Sequence, residues 1–463
     1  MAIAEQQKSN LDPSGQETLE RVSEFVLTLR PEDVPESALD AASVLLLDTL
    51  GVTAAATSME AGRILRDCAV QLYGAGPGAP QASLLFDGRK ASPAGAAYAA
   101  AGQTDNLDAH DGYNPTKGHI GVAVVPALLA LGESGRALSG REALTALVVA
   151  YEVAGRAGMS LHDTVTDYHT SGAWNCLGVA AMGARLRGLT PDQLRQALGF
   201  AEYHGPRSQM MREIAHPTML HDGSATGALV GLSAVVHAAH GFTGAPAITV
   251  EADEVTHHWA DLGHNWIVEQ QYIKPYPICR WAHAAIDGVL QLRQAHGLTA
   301  DDVVALRINT FTESAQLFAG IPSTTSLAQY SLPFAVATAL SHGRIGLEHI
   351  SGAGLKDLEV ARLVAATQVF EDERHSARFP AGRWADVVIE LKDGRVLRSG
   401  DVQARGAPET ALSREEIMDK FQEYAAPVLG TERSARLQQA ITGLVEEKAS
   451  LASVIEASIA PLN

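Results

Sequence analysis

Apolar residues in the first 270 positions recur three or four residues apart, which is the spacing of one face of a helix. Several of these segments are apolar nearly all the way round, as is typical of buried helices. Five segments carry the pattern: PESALDAASVLLLDTLGVTAAA, HIGVAVVPALLALGE, GREALTALVVAYEVAGRAGMSL, SGAWNCLGVAAMGARLRGL and GSATGALVGLSAVVHAAHG. The sequence therefore predicts a large helical domain.

The pattern changes after Gln271. The segments DDVVALRINTF and ADVVIELKDGRVLRSG are typical of strands, and the second holds an Asp393-Gly394 hairpin turn between alternating residues. Beyond about residue 405 helical spacing returns, and Ser413 and Glu416 stand at the spacing of a capping box. A short segment of mixed strands and helices is thus predicted inside a helical chain.

These patterns together predict a mainly α fold, in which a large all-helical domain carries an inserted, smaller α+β lid domain. The helical domain is predicted over 15–271 and 407–463, and the lid over 272–406. Residues 1–14 are predicted to be disordered, because they lack a periodic apolar pattern.

Composition narrows the function classes. With 46% hydrophobic and 19% charged residues, the chain has the composition of a globular enzyme. Its formal net charge of −18 argues against nucleic acid or an anionic membrane as partner. Three widely spaced cysteines, Cys68, Cys176 and Cys279, fit free thiols in a reducing compartment. The N-terminus has no apolar core of a signal peptide, so a cytoplasmic protein is predicted.

Three histidines share one local context. His119, His169 and His221 each stand shortly before an apolar helix rich in small residues, the latter two ahead of Ser171 and Ser224 as candidate caps. Helix N-termini carry a positive partial charge that attracts carboxylates and lowers the pKa of a nearby histidine. The pattern favours anion binding with proton abstraction, and the alternative is that the histidines only cap or pack.

Two further features of the sequence hold candidate functional groups. Asp108, His110 and Asp111 lie close enough in sequence to ligate a metal, although no second ligand group of recognisable spacing accompanies them, so we predict no metal site. Lys274 follows the predicted helical domain directly. A lysine at a domain junction can act as acid or base, or can simply be solvated.

Six segments taken together resemble the MmgE/PrpD family, which includes 2-methylcitrate dehydratase, cis-aconitate decarboxylase and iminodisuccinate epimerase. They are LLLDTLGV, NLDAHDG…KGHIGVAVVPALLAL, YHTSGAWNCLGVAAMGARLRGL, EYHGPRSQMMREIAHPTMLHDGSATGA, KPYPICRWAHAAID and QYSLPFAVATAL. The resemblance implies a helical domain with a lid, a homodimer, and chemistry without a cofactor on small di- or tricarboxylic acids at the domain interface.

The resemblance also implies site residues by position. The catalytic candidates that it implies are Asp108, His119, His169, Lys274 and Tyr330. The cationic side chains of Lys117, Arg207 and Arg280 add candidates for binding substrate carboxylates, together with His221 and His110. The chain departs from the family in three places: Gly112 stands where dehydratases and decarboxylases have a threonine, Lys117 is added beside His119, and Thr218 stands where decarboxylases have a lysine.

The chemistry implied is removal of a proton near a carboxylate, or protonation of the resulting carbanion, with histidine and lysine carrying the proton. We favour epimerisation of the iminodisuccinate epimerase type, because several candidate bases remain while the threonine and lysine of the lyase members are absent. The alternatives are a lyase, either a dehydratase or a decarboxylase, and a non-catalytic protein that binds polycarboxylates or serves as a scaffold.

Overall fold

The computed structural model describes residues 13–462 and is mainly helical, as predicted. The first part of the chain forms eleven numbered helices within the described residues: α1 Pro13–Thr28, α2 Glu36–Ala56, α3 Glu60–Leu72, α4 Pro93–Asp105, α5 Gly121–Ser134, α6 Gly140–Thr164, α7 Gly172–Leu186, α8 Pro191–His204, α9 Met210–Ala215, α10 Ser224–Ala239 and α11 Ile248–Glu251. The strands β1 Ala82–Ser83 and β2 Lys90–Ala91 form a short hairpin. Of the predicted disordered stretch, 1–12 lie outside the described residues, and α1 begins at Pro13.

Small residues let the central helices approach closely. α7 packs against both α6 and α10. A Cβ added at Gly178 of α7 would collide with the backbone oxygen of Ala150 in α6, and one added at Gly231 of α10 would lie 2.6 Å from the oxygen of Cys176. Because these contacts are backbone to backbone, the helices cannot shift without losing packing density. The loops at their N-termini are therefore held on a rigid base.

The second part of the chain contains the helices α12 His283–His296, α13 Thr312–Ala315, α14 Thr325–Gln329, α15 Leu332–His342, α16 Leu358–Ala365, α17 Glu373–Ser376, α18 Arg414–Leu429, α19 Thr431–Thr442 and α20 Leu451–Ile459. The capping box of Ser413 and Glu416 is confirmed at the start of α18. α18 returns to the helical domain, where Phe421 lies against Gly51 of α2.

A five-stranded sheet forms the β part of the lid. Its strands are β3 Val303–Thr310, β4 Thr367–Glu371, β5 Trp384–Leu391, β6 Val396–Arg398 and β7 Val402–Gln403. The order is β4-β3-β5-β6 with β7 also on β5, and only the β3–β4 pair is parallel. The predicted hairpin is confirmed: β5 and β6 pair on either side of Asp393 and Gly394, whose φ is 87°. The sheet matches the α+β lid expected from the sequence.

Buried apolar residues fall into two clusters. One contains residues of α1 to α8, α10 and α11 together with α18 to α20. The other is built on the lid helices and sheet but also takes in Val52, Leu107 and Met210 from the helical part. The second cluster thus joins lid and helical domain, and the loops between them meet at this junction. The domain boundaries at 271/272 and 406/407 stay a prediction.

Helix α2 is long and apolar enough to cross a membrane by length and composition, with a mean hydropathy of 1.5 over its most apolar window. In the structure 83% of that window is buried inside the protein. Burial of this kind is typical of the core helix of a globular domain.

Candidate active site

His119 lies in the loop between α4 and α5 and has the geometry of a neutral base. Its Nδ1 lies 2.6 Å from the carbonyl oxygen of Asp111. Since a carbonyl can only accept, Nδ1 carries the proton and Nε2 keeps its lone pair. Nε2 lies 3.9 Å from Oδ2 of Asp222. Burial, and then the charge of Lys274, hold the pKa of His119 well below its usual range.

Two more neutral imidazoles lie near this base. The rings of His110 and His119 have their centroids 4.5 Å apart, and the ring of His221 lies 5.6 Å from that of Tyr330. Burial lowers the pKa of His110 well below its usual range and that of His221 to about 3. No ring nitrogen of His110 or His221 has a hydrogen-bond partner within the described part of the chain. These nitrogens are available to a ligand.

Lys274 and Asp108 form a buried ion pair across the domain junction. The Lys274 ammonium donates to Oδ1 of Asp108 and, over 3.0 Å, to its carbonyl oxygen. Lys274 is completely buried, and burial raises the pKa of Asp108 while the charge of Lys274 opposes that rise. Within 13–462, Oδ2 of Asp108 has no hydrogen-bond partner. The pair therefore places one ammonium and one open carboxylate oxygen next to the histidines.

Two buried aspartates of the site were missed by the sequence analysis. Asp222 accepts a hydrogen bond from Oγ of Ser171, and burial raises its pKa to about 6. Asp105 has a pKa raised well above its usual range by burial and then by the charge of Asp222. Asp222 directly follows His221, so its position in the sequence could have indicated it. Burial is what distinguishes these two carboxylates from surface ones.

The starts of the three helices are satisfied by the chain's own groups. The backbone N–H of Gly121 donates to Asp111 at 3.3 Å, that of Ser224 donates to Asp105 at 3.2 Å, and that of Gly172 donates to the carbonyl of Asp222 at 2.9 Å. One N–H at the start of each helix is therefore already paired within the chain, and two of the three acceptors are buried aspartate carboxylates. Binding of the substrate's carboxylate at these N-termini stays a prediction.

Of the two predicted serine caps, Ser171 stands at the cap position of α7 without a capping hydrogen bond, and Ser224 does not stand at the cap position of α10. Ser171 precedes α7, but its hydroxyl donates to Asp222 and accepts from the backbone N–H of His119 at 2.8 Å instead of capping the helix. Ser224 is the first residue of α10, and Gly223 stands at the cap position. Ser171 therefore links His119 to Asp222, which fixes the base relative to that carboxylate.

Three site candidates have strained backbones. Asp108, Lys117 and His221 have φ values of 55°, 57° and 45°. Outside glycine such conformations cost about 1–3 kcal/mol each and concentrate at functional sites. Phe86 and Glu447 are the other two non-glycine residues of the described chain with positive φ. The strained residues lie in two loops, one between α4 and α5 and one between α9 and α10, and both loops carry candidates predicted from the sequence.

The structure brings together a set of possible metal ligands different from the set considered as an alternative in the sequence. Ligand atoms of Asp108, His110 and His119 lie within 4.8 Å of one another. Asp111 is not among them, since its carboxylate accepts from Tyr151 at 3.2 Å and from the N–H of Gly121. The Lys274 ammonium already pairs with Asp108, so a cation would compete with it. The donor set suits proton transfer better than metal binding.

Three other predicted site residues, Tyr330, Arg280 and Lys117, lie around the cluster formed by His119, His110, His221, Lys274 and Asp108. Tyr330 is buried beside His221, and Arg280 lies 4.5 Å over the ring of Tyr272, which faces His119 at 6.2 Å. Lys117 is half-buried over the ring of Tyr168.

Two candidates make contacts outside the cluster. His169 is half-buried, with Nε2 3.6 Å from Asp167 and Nδ1 without a partner in 13–462. The structure does not bring Arg207 to the cluster, because its exposed guanidinium pairs at 3.6 Å with Glu202 of α8. Thr218, where decarboxylases have a lysine, is exposed on the loop between α9 and α10.

Tyr272 explains the glycine at position 112. The backbones of Gly112 and Tyr272 pair in both directions, at 3.0 and 2.8 Å. A Cβ added at Gly112 would collide with the phenol of Tyr272 and lie 2.8 Å from the oxygen of Gly118. The phenol of Tyr272 therefore fills the space that a side chain at position 112 would need, which is a physical reason for a glycine there.

We expect Gly112→Thr to lower stability by about 1–3 kcal/mol, the usual cost of overpacking a well-packed site. Activity should fall with it, because the phenol is displaced. Urea unfolding and turnover measure the two effects. Gly76→Thr is the control, since an added Cβ there meets nothing within 4 Å. A Gly112→Thr variant as stable and active as the control would contradict this account.

Comparison with known proteins places this site in a family. The MmgE/PrpD N-terminal domain matches residues 20–260, and the MmgE/PrpD C-terminal domain matches residues 276–445. The chain belongs to the MmgE/PrpD family. Lys274 of the buried ion pair lies between the two matched regions, two residues before the second begins.

Curated relatives at low identity are named for a decarboxylation. A cis-aconitate decarboxylase-like protein, oryM, of Aspergillus oryzae is 23% identical over 93% of this chain and 95% of its own length. Cis-aconitate decarboxylase of Aspergillus terreus is 24% identical over 91% and 92%, and that of Homo sapiens is 22% identical over 70% and 71%. This MmgE/PrpD protein is thus an enzyme of that family whose distant relatives are lyases.

Proposed function

We propose that this MmgE/PrpD enzyme removes a proton from carbon near a carboxylate of a small di- or tricarboxylic acid, with Nε2 of His119 as the base. The observation that carries the proposal is the fixed tautomer of His119: the Asp111 carbonyl holds the proton on Nδ1. A neutral base at physiological pH follows from its lowered pKa. No cofactor is needed for this step.

The surrounding groups can stabilise the carbanion. When the C–H bond breaks, its proton goes to Nε2 and its electron pair moves into the adjacent carboxylate, which becomes an enediolate. The Lys274 ammonium and the unpartnered nitrogens of His110 and His221 can donate hydrogen bonds to that charge. Tyr330, whose pKa burial raises well above its usual range, stays protonated and can donate too.

We favour epimerisation, in which a second group returns the proton to the opposite face. Gly112 with Tyr272 replaces the threonine, and Thr218 replaces the lysine, of lyase members. The second candidate is a lyase reaction, which the names of the fungal and human relatives favour. In a dehydratase the carbanion formed by proton removal then loses water. In a decarboxylase the loss of CO₂ itself leaves the carbanion, which is then protonated.

Incubation in D₂O, followed by ¹H NMR, tests the proposal. Candidate acids are iminodisuccinate, 2-methylcitrate and cis-aconitate. We expect deuterium at a carbon α to a carboxylate, together with the second epimer and no alkene. An alkene or CO₂ would assign the lyase reaction. Binding of these acids without exchange or product would overturn catalysis and leave the polycarboxylate-binding or scaffold alternative.

We further infer a homodimer in the cytoplasm. The resemblance to the family and the free thiols support this inference. Sedimentation at micromolar concentration is expected to give twice the chain mass of 48.8 kDa.

The pH dependence follows from the lowered pKa of His119. The base works when neutral, so a folded pKa below the ordinary value of about 6.5 keeps it active at lower pH. The pH dependence of kcat/KM reports the pKa of the base in the free enzyme. We therefore expect the acid limb of this profile to lie below pH 6. The control is the affinity for tricarballylate, an inert polycarboxylate, over the same pH range. It separates protonation of the substrate's own carboxylates from protonation of His119. An acid limb above pH 7 would contradict a neutral His119.

A further inference from the structure

Arg383, at the start of β5, is a buried cation without a carboxylate partner. Only 2% of it is exposed, and its guanidinium lies 4.7 Å over the ring of Phe379. It donates to the carbonyl oxygen of Pro380 and, over 3.5 Å, to that of Asn114. No carboxylate lies within 4.0 Å of it among residues 13–462, and its Nε has no hydrogen-bond partner there. A buried charge left in this state costs free energy unless a ligand pairs with it.

Two further cations are held in the same way. Lys117 lies 4.1 Å over the ring of Tyr168 and donates to the carbonyl of Pro115 over 3.4 Å. Arg280 lies over Tyr272 and donates to the carbonyls of Ala404 and Arg405. Neither has a carboxylate within 4.0 Å in the described chain. By contrast, the exposed lid residue Arg374 pairs with Asp372, Asp386 and Asp401.

The three cations lie close enough to affect one another electrostatically. A row of aromatic rings joins Lys117 to Arg383, since the rings of Tyr168 and Phe379 lie 6.2 Å apart. Burial, and then the charge of Arg383, lower the pKa of Lys117 to about 8. Burial lowers the pKa of Arg383 to about 10, and the charge of Arg280 contributes. Three like charges are thus brought together from a helical-domain loop and from the lid.

This group of cations lies beside the candidate base. Tyr272, which carries Arg280 on its face, has its ring 6.2 Å from that of His119. The charge of Arg280 also contributes to the lowered pKa of His119. The side chain of Asn114 donates over 3.3 Å to the carbonyl of Ala381, so the lid segment that carries Arg383 is tied to the loop of Lys117. One aromatic ring, that of Tyr272, thus separates Arg280 from the candidate base.

We propose that Arg383, Arg280 and Lys117 form a subsite for a carboxylate remote from the carbon that loses its proton, with Arg383 as the residue that selects polycarboxylates. The proposal rests on the proposed function, because it assigns the far end of the same substrate. A guanidinium binds a carboxylate through two parallel hydrogen bonds, which gives both affinity and orientation. Since the subsite combines lid and helical-domain residues, a dicarboxylate would bridge the two.

Calorimetric titration tests the subsite with tricarballylate as the polycarboxylate and butyrate as the monocarboxylate. Arg383→Gln is expected to weaken tricarballylate binding by about 10- to 100-fold, the range for a hydrogen bond to a charged group. Lys117→Met should weaken it less, because Lys117 is only half-buried. Arg374→Gln is the matched control and should bind within twofold of the wild type. Butyrate binding should be the same in all four proteins.

Kinetics and a second variant distinguish loss of the subsite from a general loss of packing. With an active dicarboxylate, Arg383→Gln should raise KM by a similar factor while kcat changes less, whereas a general loss of packing would lower kcat. If Arg383→Gln does not fold, Arg383→Lys replaces it. Its affinity for tricarballylate is expected to lie between that of the wild type and that of Lys117→Met. Folded Arg383 and Lys117 variants that bind tricarballylate within twofold of wild type would overturn the subsite.

The experiments distinguish failure of the subsite from failure of the proposed reaction. Deuterium exchange in a wild-type enzyme that does not bind tricarballylate would overturn the subsite and leave the proposed function standing. Binding that depends on Arg383, in a protein without exchange on any candidate acid, would support the subsite and overturn the reaction.

Discussion

His119→Gln is expected to lower turnover by about 10²- to 10⁴-fold, the usual contribution of a positioned general base. Glutamine keeps hydrogen-bonding capacity but cannot take a proton, so the fold and the binding of tricarballylate should survive. Steady-state kinetics, calorimetric titration and urea unfolding measure the three properties. His283→Gln is the control, because this fully buried histidine bonds the carbonyl of Ile278 at 2.9 Å within the lid. Its turnover should stay within a few-fold of the wild type.

The same variant separates the two candidate reactions. An epimerase with one base on each face could still exchange deuterium into one epimer of the substrate when His119 is replaced, without converting it to the other. A lyase that depends on one base would lose exchange altogether. Turnover and exchange of His119→Gln within a few-fold of the wild type would show that the base is another residue, and His169 and His221 would then be the next candidates.

Lys274→Met is expected to be the most damaging change to both stability and activity. It would leave the Asp108 carboxylate buried without its cation, and breaking a buried ion pair in this way costs about 3–5 kcal/mol. Turnover should also be lost, because the ammonium that stabilises the enediolate is gone. Urea unfolding gives the loss of stability, and kinetics on the folded fraction gives the loss of activity.

Two further variants distinguish structure from catalysis at Lys274. Adding Asp108→Asn to Lys274→Met removes both charges and should recover much of the stability without recovering turnover. Lys420→Met is the matched control: Lys420 is also buried, pairs with Asp48 at 2.6 Å and bonds the carbonyl of Ala109 at 2.7 Å. It should be destabilised comparably but lose far less turnover. Recovery of turnover in the double variant would assign Lys274 a purely structural role.

Much of the fold could be predicted because helical periodicity is local information. The apolar repeats of α2, α5, α6, α7 and α10 and the turn at Asp393 and Gly394 are written in consecutive residues. The strand β4 was not predicted individually, since its residues are half exposed and it is held only by parallel pairing with β3. Strands at the edge of a sheet carry a weak apolar pattern, and pairing between distant segments leaves no local signal.

The sequence by itself determined which loops carry the chemistry. His119, His169 and His221 stand out because each lies shortly before an apolar helix, and Lys274 because it lies at the change of pattern. The resemblance to a family added Tyr330 and the expected substrate class. The structure brings all of these residues except His169 together at the domain junction, and their roles in catalysis stay predictions.

Only the tertiary structure decided how these groups are arranged and charged. Burial sets the pKa of Asp222 and His221, and burial results from helices that pack far apart in sequence. The same packing separates Arg207, which is exposed beside Glu202, from Arg383, which is buried without a carboxylate. In the sequence these two arginines are alike. They differ because desolvation and the orientation of a side chain depend on all the segments around it, and no local pattern records them.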